Sequence, residues 1–360
     1  MAGETRVFGG NLMMFIVSCL RGVGLSGTDA MTVMLRMLEA DYSGADAHGI
    51  FRLPQYVRRI KAGGINPHPK ITVTRTAPAT AMVDGDNGMG HLVMAQVVKT
   101  AVELAKENGV AWVGARRSNH AGAAGVYAAE AAADDVAAIY SVVANANHMP
   151  MWGGAENLLG TNPIAIAIPT GEEPLVVLDV ATTVVSYGTV KAYKLQGKPM
   201  PEGWMINAKD GSPLTDSARS TEGLLLPIGG HKGSGLALAL GMLAGTLNGA
   251  AFGRDVVDFN NNDTDECNTG HFMIAVDISR FMPLEDFKSH VDLQLQELRE
   301  SKRLPGVDAI YFPGEQRAQR RADRQRNGVP IADEVMAQLD KLADEMDVAP
   351  LSLRQPADAS

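Results

Sequence analysis

Short apolar segments alternate with helix-like segments along most of the chain, and this alternation limits the possible folds more than any other feature. The strand-like segments are apolar and bounded by turn residues, which predicts strands at 71–76, 80–84, 110–114, 136–143, 164–169, 175–180 and 272–278. Helical spacing with Gly or a capping residue at the ends predicts helices at 12–20, 28–41, 94–107, 122–134, 231–249, 284–301 and 332–345. Strands interleaved with helices predict an α/β architecture.

Two segments carry further structural expectations. The segment 231–249 has almost no charge, which predicts a buried helix. The segment 188–220 is polar and rich in Gly and Pro, which predicts a loop with short strands.

Length and charge exclude several classes of protein. A chain of 360 residues is long enough for two domains, and its net charge of −9 argues against a nucleic-acid partner. Cys19 and Cys267 lie far apart, which argues against a disulfide framework or a cysteine-based zinc site. The apolar run at 12–20 is too short to span a bilayer, and no signal-peptide pattern is visible, so the reducing cytoplasm is the expected location.

The segment 22–27 matches the spacing G-x-G-x-x-G of dinucleotide-binding loops. That motif requires a preceding strand and an acidic residue about 20 positions later. The preceding segment has helical spacing instead. We therefore interpret these glycines as the end of one helix, a turn, and the start of the next helix, with Ser26 or Thr28 as its N-cap.

His48 and Arg52 are four residues apart and share a face if this turn is helical. A histidine exchanges protons near neutral pH, and an arginine binds a carboxylate through parallel hydrogen bonds. The pair suits a 2-hydroxy or 2-oxo acid. The alternative is a capping histidine beside a surface arginine.

Three further segments combine glycines with polar side chains. The segment 116–125 follows a predicted strand and opens a helix, where backbone N–H groups attract anions such as pyrophosphate, although a tightly packed helix start has the same pattern. The segment 227–235 places four glycines around Lys232, which is typical of a loop over phosphate or ribose oxygens. The segment 147–163 is typical of a pocket wall, although His148 alone is more often a packed loop residue.

Together these motifs resemble the malate/L-lactate dehydrogenases of the non-Rossmann type. That family also includes sulfolactate, ureidoglycolate and diketogulonate dehydrogenases and reductases of piperideine- and pyrroline-2-carboxylate. The resemblance covers nearly the whole chain, through the segments 46–56, 118–125, 160–163, 179–182, 229–235 and 313–315. It implies an α/β, non-Rossmann nicotinamide-binding fold of the sulfolactate-dehydrogenase-like type.

The resemblance also implies a division of the chain and its partners. A central cofactor-binding domain at 121–284 is expected inside a discontinuous substrate and dimerisation domain at 1–120 and 285–360. Expected partners are NAD or NADP, a small substrate that carries a carboxylate, and further copies of the chain in a homodimer or larger homo-oligomer. No metal, nucleic acid or membrane is expected.

The implied reaction interconverts a 2-hydroxy acid and a 2-oxo acid by hydride transfer at C2, with a histidine as acid/base. The resemblance gives the acid/base role to His48 or, as in some members, to His120, and it gives Asp179 the role of orienting the catalytic histidine. The implied substrate-binding residues are Arg52, His148 and Thr161. The implied cofactor-binding residues are His120, Ala121, Gly122, Ala123, Ala124, Asp179, Val180, Ala181, His231, Lys232, Gly314, Glu315 and Arg317.

Departures from the family pattern leave the function open in part. Ala47 stands where the family has a serine before the catalytic histidine, and this suggests a replacement hydroxyl, a larger role for His120, or impaired catalysis. His148-Met149 suggests an altered substrate pocket. The segment 186–189 lacks the basic residues of relatives, which slightly favours NAD over NADP. The alternatives are a cyclic imino acid reductase and a cofactor-binding protein with impaired catalysis.

Overall fold

A mixed sheet of seven strands forms the centre of the computed structural model, which describes residues 4–353. The strands of the chain are β1 (Glu4–Val7), β2 (Thr72–Ala77), β3 (Thr80–Asp84), β4 (Val110–Ser118), β5 (Val136–Val142), β6 (Ile164–Ile168), β7 (Val176–Val180), β8 (Met205–Asn207), β9 (Gly223–Leu225), β10 (Thr269–Asp277) and β11 (Val329–Ala332). The sheet has the order β2-β3-β4-β10-β5-β6-β7. Strands β3 and β4 run parallel, and the other neighbouring pairs run antiparallel.

Helices cover both faces of this sheet. They are α1 (Gly9–Gly22), α2 (Gly27–Tyr42), α3 (Leu53–Ala62), α4 (Gly90–Asn108), α5 (Ala124–Ala132), α6 (Tyr187–Leu195), α7 (His231–Ala244), α8 (Leu284–Glu300), α9 (Glu315–Asn327) and α10 (Asp333–Met346). Helices α4 and α5 pack on one face, against alternate residues such as Met273 and Ala275. Helix α7 packs on the other face, against Phe272. The predicted α/β class is confirmed.

Two segments differ from their predictions. The 188–220 segment, predicted to be a loop with short strands, contains most of helix α6. The Ser186 hydroxyl stabilises the start of this helix as its N-cap, because it accepts a hydrogen bond from the Thr189 N–H at 3.1 Å. Helix α7, predicted to be a buried helix, is buried only on the side that packs against the sheet. Its other side exposes Leu236, Met242 and Leu243.

The interpretation of the glycines at 22–27 is confirmed. Helix α1 ends at Gly22, and the Ser26 hydroxyl accepts a hydrogen bond from the Asp29 N–H as the N-cap of α2. No strand precedes the motif between residues 9 and 22 of the structure. A Rossmann loop is therefore absent here.

The two ends of the described chain share one core. Helices α1, α2 and α3 pack with β11 and α10 around Phe15, Met37, Tyr56 and Leu339. Strands β1 and β11 pair antiparallel and join the ends directly. Strand β4 lies before the predicted domain boundary at residue 120 and β10 lies after it, yet the two strands pair in one sheet. The division of the chain at 120 and 284 stays a prediction.

Replacement of Leu339 by alanine tests whether the C-terminal helix is part of this core. Leu339 is fully buried, so we expect the loss of about 2–5 kcal/mol in the free energy of unfolding. The measurement is urea denaturation followed by circular dichroism. Leu298→Ala, on the exposed side of α8, is the matched control and should change stability little. Equal effects of the two substitutions would contradict this account of the core.

Candidate active site

Strand ends from distant parts of the chain meet at one edge of the sheet. The start of β10 pairs with the end of β4, with Thr269 opposite Ser118, and it also pairs with the end of β5. The start of β6 pairs with the end of β7, with Ile164 opposite Val180. The segments that follow β4, β5 and β7 therefore leave the sheet side by side.

These segments and the two turns before α3 enclose a cavity of about 310 Å³. Small-molecule sites have volumes of roughly 300–1,000 Å³. The predicted catalytic and binding residues that line the cavity are His48, Arg52, His120, Ala121, Gly122, Ala124, His148, Thr161, Asp179 and Ala181. The fold thus brings together most of the site that the sequence predicted.

A buried carboxylate holds the turn that carries His48 and Arg52. The Asp41 Oδ2 accepts a hydrogen bond from the Ile50 N–H at 2.9 Å. A Cβ atom at Gly49 would lie 1.8 Å from the Asp41 Oδ1, so only glycine fits between the turn and this carboxylate. Asp41 thereby sets the position of the turn on which both candidate residues lie.

His48 and His120 form a stacked pair in the cavity wall. Their ring centroids are 5.5 Å apart and the rings are inclined by 13°. Burial, followed by the positive charge of Arg52, lowers the pKa of His48 to about 4. The same causes lower the pKa of His120 well below its usual value. Both imidazoles are therefore neutral at pH 7.

The hydrogen bonds of His120 determine its tautomer. Its Nδ1 accepts a hydrogen bond from the Gly122 N–H at 3.3 Å, and the Tyr56 hydroxyl lies 2.6 Å from the same nitrogen. A backbone N–H can only donate, so the proton of the neutral ring lies on Nε2 and Tyr56 also donates. The His48 Nδ1, by contrast, is buried without a partner among residues 4–353.

Two cationic side chains meet at one amide oxygen in the cavity. The Asn260 Oδ1 accepts hydrogen bonds from the Lys191 Nζ at 2.9 Å and from the Arg52 Nη1 at 3.4 Å. Arg52 also donates to the Ala47 carbonyl and to the Gln55 side chain. Burial and the charge of Arg52 lower the pKa of Lys191.

Asp179 lies in the cavity wall and binds the start of α5. Its Oδ2 accepts a hydrogen bond from the Gly125 N–H at 2.7 Å, and within residues 4–353 it makes no hydrogen bond to His48 or His120. Its predicted role in orienting the catalytic histidine stays a prediction. Burial raises the pKa of Asp179, and the bond from Gly125 and the charge of Arg317 oppose this shift.

The remaining predicted residues lie around the cavity at different depths. Gly314 and Arg317 line an adjacent groove of about 250 Å³, and Asp179 lies in the walls of both. Ala123 is buried against Ala40 and Val126. Glu315 forms an ion pair with Arg299, and Val180 is the last residue of β7. His231 and Lys232 are exposed at the start of α7 and do not line the cavity. Their roles in cofactor binding stay predictions.

His148 packs in the cavity wall against the start of α6. Its ring is stacked on Tyr187 with the centroids 3.7 Å apart, and burial lowers its pKa to about 4. Its side chain therefore presents a neutral surface to the cavity.

Sequence reasoning missed Tyr56, Lys191 and Asn260. Tyr56 is four residues after Arg52, so the helical spacing that linked His48 to Arg52 was a signal that extended one turn further. The Gly and Pro content around Lys191 predicts a loop, so the sequence gives no helical face on which to place this side chain. Asn260 lies in an irregular segment, and no local pattern pointed to it.

Comparison with known proteins identifies the family. The family model for malate/L-lactate dehydrogenase matches residues 10–340. The chain belongs to this family. It is 37% identical to the malate dehydrogenase of Pyrococcus horikoshii over 344 residues, which is 94% of each chain. The resemblance found in the sequence motifs is thereby confirmed, and with it the oxidoreductase class: nicotinamide-dependent dehydrogenation of 2-hydroxy acids.

Solved structures confirm the expected fold. The sulfolactate dehydrogenase of Methanocaldococcus jannaschii has a TM-score of 0.88 and 35% identity, and the match covers 97% of this chain and 99% of that one. The delta1-piperideine-2-carboxylate reductase of Pseudomonas syringae pv. tomato has a TM-score of 0.82 and 26% identity, with 94% and 100% covered. Within residues 4–353, no helix is long and apolar enough to cross a membrane, and no three metal-ligating side chains come together.

His91, whose ring packs against Tyr56, provides a test of how burial lowers the pKa of the histidines in this region. Both of its ring nitrogens are buried without a partner among residues 4–353, and burial lowers its pKa to about 3. The unfolded chain therefore binds a proton first as the pH falls below about 6.5, and folding stability is lost from there downward. We expect His91→Leu to remove this loss, roughly 1–2 kcal/mol between pH 7 and pH 5.

The measurement is the free energy of unfolding by urea at pH 5, 6, 7 and 8. His290→Leu, on an exposed part of α8, is the control and should keep the wild-type slope. A His91→Leu variant with the wild-type slope would contradict the assignment.

Proposed function

We propose that this protein interconverts a 2-hydroxy acid and its 2-oxo acid, with His48 as acid/base and Arg52 as the carboxylate anchor. The observation that carries the proposal is the stacked pair of neutral histidines beside Arg52 in one cavity. A guanidinium binds the C1 carboxylate, which places C2 and its oxygen toward the imidazoles.

The environment of His48 suits proton transfer coupled to substrate binding. Its Nδ1 has no hydrogen-bond partner in the described part of the chain, so the ring can gain and lose a proton without breaking a fixed hydrogen bond. Burial is the main cause of the lowered pKa of His48, and the charge of Arg52 adds to it. A carboxylate bound to Arg52 offsets the second cause, so substrate binding raises the pKa of His48 from its value in the empty site.

His120 has a different role in this proposal. Protonation of its Nδ1 would break the bonds from Gly122 and Tyr56, so its ring stays in the Nε2–H form. The Nε2–H then donates a hydrogen bond to the C2 oxygen and stabilises negative charge there. Tyr56 acts as a positioning residue, since it reaches the substrate through His120.

The residues around Asp179 fit a nicotinamide dinucleotide. The Arg317 Nη2 is buried beside the groove that adjoins the cavity, and within residues 4–353 it forms only a long ion pair with the Glu39 carboxylate, at 3.7 Å, so it can still donate a hydrogen bond to a phosphate oxygen. A Cβ atom at Gly125 would lie 2.7 Å from the Arg317 Nη1 and 2.8 Å from the Asp179 Oδ2, so only glycine lets these two charged side chains pack against the start of α5. When bound, the nicotinamide supplies or accepts the hydride at C2.

The remaining assignments belong to the same proposal. Substrate or cofactor is contacted from the cavity wall by six further residues: Ala121, Gly122, Ala124, His148, Thr161 and Ala181. NAD is favoured over NADP because the 186–189 segment lacks basic residues. Exposed apolar residues on α7 support a homodimer or larger homo-oligomer.

A substrate panel with NADH and NADPH in parallel tests the reaction. We expect oxidation of the cofactor with at least one 2-oxo acid, and a loss of roughly 10²–10⁴-fold in kcat for His48→Asn. His120→Asn should lower kcat but keep the pH-dependent limb that His48→Asn abolishes. The reverse pattern would exchange the two roles.

Failure with every 2-oxo acid would refute the proposed reaction. The panel therefore includes piperideine-2-carboxylate and pyrroline-2-carboxylate. Turnover of these imines faster than of any 2-oxo acid would favour the second candidate function, which the structural likeness to the piperideine-2-carboxylate reductase supports.

Ala47→Ser tests whether the missing hydroxyl limits His48. Ala47 lies in the cavity wall next to His48, whose Nδ1 has no partner among the described residues. A hydroxyl that accepts a hydrogen bond from the Nδ1–H of His48 would orient the ring and stabilise its protonated form, so kcat should rise roughly fivefold, the effect of one hydrogen bond worth about 1 kcal/mol. Ala133→Ser, at an exposed helix end, is the control. Unchanged or lower kcat in Ala47→Ser would show that this site works without the hydroxyl.

A further inference from the structure

Lys191 gives the cavity a second positive charge beyond the one that a 2-oxo acid requires. Lys191 lies on α6 and Arg52 at the start of α3, and both donate to the Asn260 Oδ1. The Asn260 Nδ2 donates to the Asp258 Oδ1 at 3.2 Å, which fixes the amide with its oxygen toward the two cations. The Lys191 ammonium and the Arg52 guanidinium therefore each lie one hydrogen bond from the same neutral oxygen.

No salt bridge neutralises these charges in the described protein. Neither Lys191 nor Arg52 pairs with a carboxylate within residues 4–353. The charge of Asp258 acts on Lys191 only without a direct bond, and the Asp258 carboxylate is already bound by Asn260 and by the Asn261 Nδ2 at 2.7 Å. Burying two like charges side by side is unfavourable unless anionic groups join them. The cavity therefore calls for an occupant with more negative charge than one carboxylate.

We propose that Lys191 binds a second anionic group of the substrate, so that the site selects 2-oxo and 2-hydroxy acids with a carboxylate or sulfonate distal to C2. The inference rests on the proposed function and adds the substrate class. Arg52 binds the C1 carboxylate, and Lys191 binds the distal group as a point charge. Asn260 separates the two cations and sets the distance between the two subsites.

The aromatic neighbour of Lys191 contributes to this arrangement. The Lys191 Nζ lies 5.5 Å from the ring centroid of Tyr187, which is itself stacked on His148. The ring attracts the ammonium group and limits its rotamers, so the charge stays at the cavity. His148 and Tyr187 then form the neutral wall along which the substrate chain lies.

Steady-state kinetics with matched probes tests the inference. The dianionic probes are oxaloacetate and 3-sulfopyruvate, and the monoanionic probes are pyruvate and 2-oxobutyrate. The wild type should prefer the dianions. Lys191→Met should lower kcat/KM for the dianions roughly ten- to hundredfold, mainly through KM, and leave the monoanions within about twofold. Lys191→Arg should retain the preference.

Lys194→Met is the matched control, because Lys194 is exposed on the same helix. It should leave all four substrates unchanged. Equal losses for monoanions and dianions in Lys191→Met would overturn the proposal, since Lys191 would then bind the same carboxylate as Arg52. A raised KM for NADH or NADPH with unchanged substrate KM would overturn it as well, in favour of a cofactor contact.

A binding measurement separates this inference from the proposed reaction. Calorimetric titration of the four acids into wild type and Lys191→Met needs no turnover. If no acid is reduced but the wild type alone binds the dianions more tightly, the reaction fails and the role of Lys191 stands. If monoanions are reduced and Lys191→Met binds and reduces dianions as the wild type does, the reaction stands and the role of Lys191 fails.

Discussion

The pairing of β10 with both β4 and β5 is the interaction on which the site depends. β10 comes late in the chain, yet it pairs with β4 on one side and β5 on the other and so brings the ends of these two earlier strands to the same edge of the sheet. His271 on β10 reinforces this junction from below, because its Nε2 lies 2.9 Å from the Ser118 Oγ and its Nδ1 lies 2.9 Å from the Tyr140 hydroxyl. Tyr140 lies in the cavity wall, so the network joins the sheet to the floor of the site.

Desolvation controls the chemistry of the cavity. Burial is the largest cause of the lowered pKa of His48, His120 and His148, and it also lowers the pKa of Lys191. The same burial makes the charges of Arg52 and Lys191 act strongly on any group that enters. Under the proposed function, a bound carboxylate would offset the charge of Arg52, which is the second cause of the lowered pKa of His48 and His120.

The sequence predicted much of the site because its signals are local. The spacing of His48 and Arg52 reflects one turn of helix-like backbone, and the glycine-rich segment 116–125 contributes Ala121, Gly122 and Ala124 to the cavity wall. Contacts between distant segments have no such signal. The bond from Tyr56 to His120 joins two segments of the chain, and the bond from Lys191 to Asn260 joins two others, so neither could be read from spacing. The hydrogen bond from Gly125 that occupies Asp179 was hidden for the same reason.

By itself, the sequence determined the order of strands and helices, the family, and the residue types available for acid/base chemistry and anion binding. These follow from periodicity, capping and motif order, which are properties of neighbouring residues. Only the tertiary structure decided which histidine keeps a free nitrogen, that Asp179 serves a helix start, and that a second cation faces Arg52. Those features depend on burial and on hydrogen bonds across the sheet edge, and both exist only once the strands have paired.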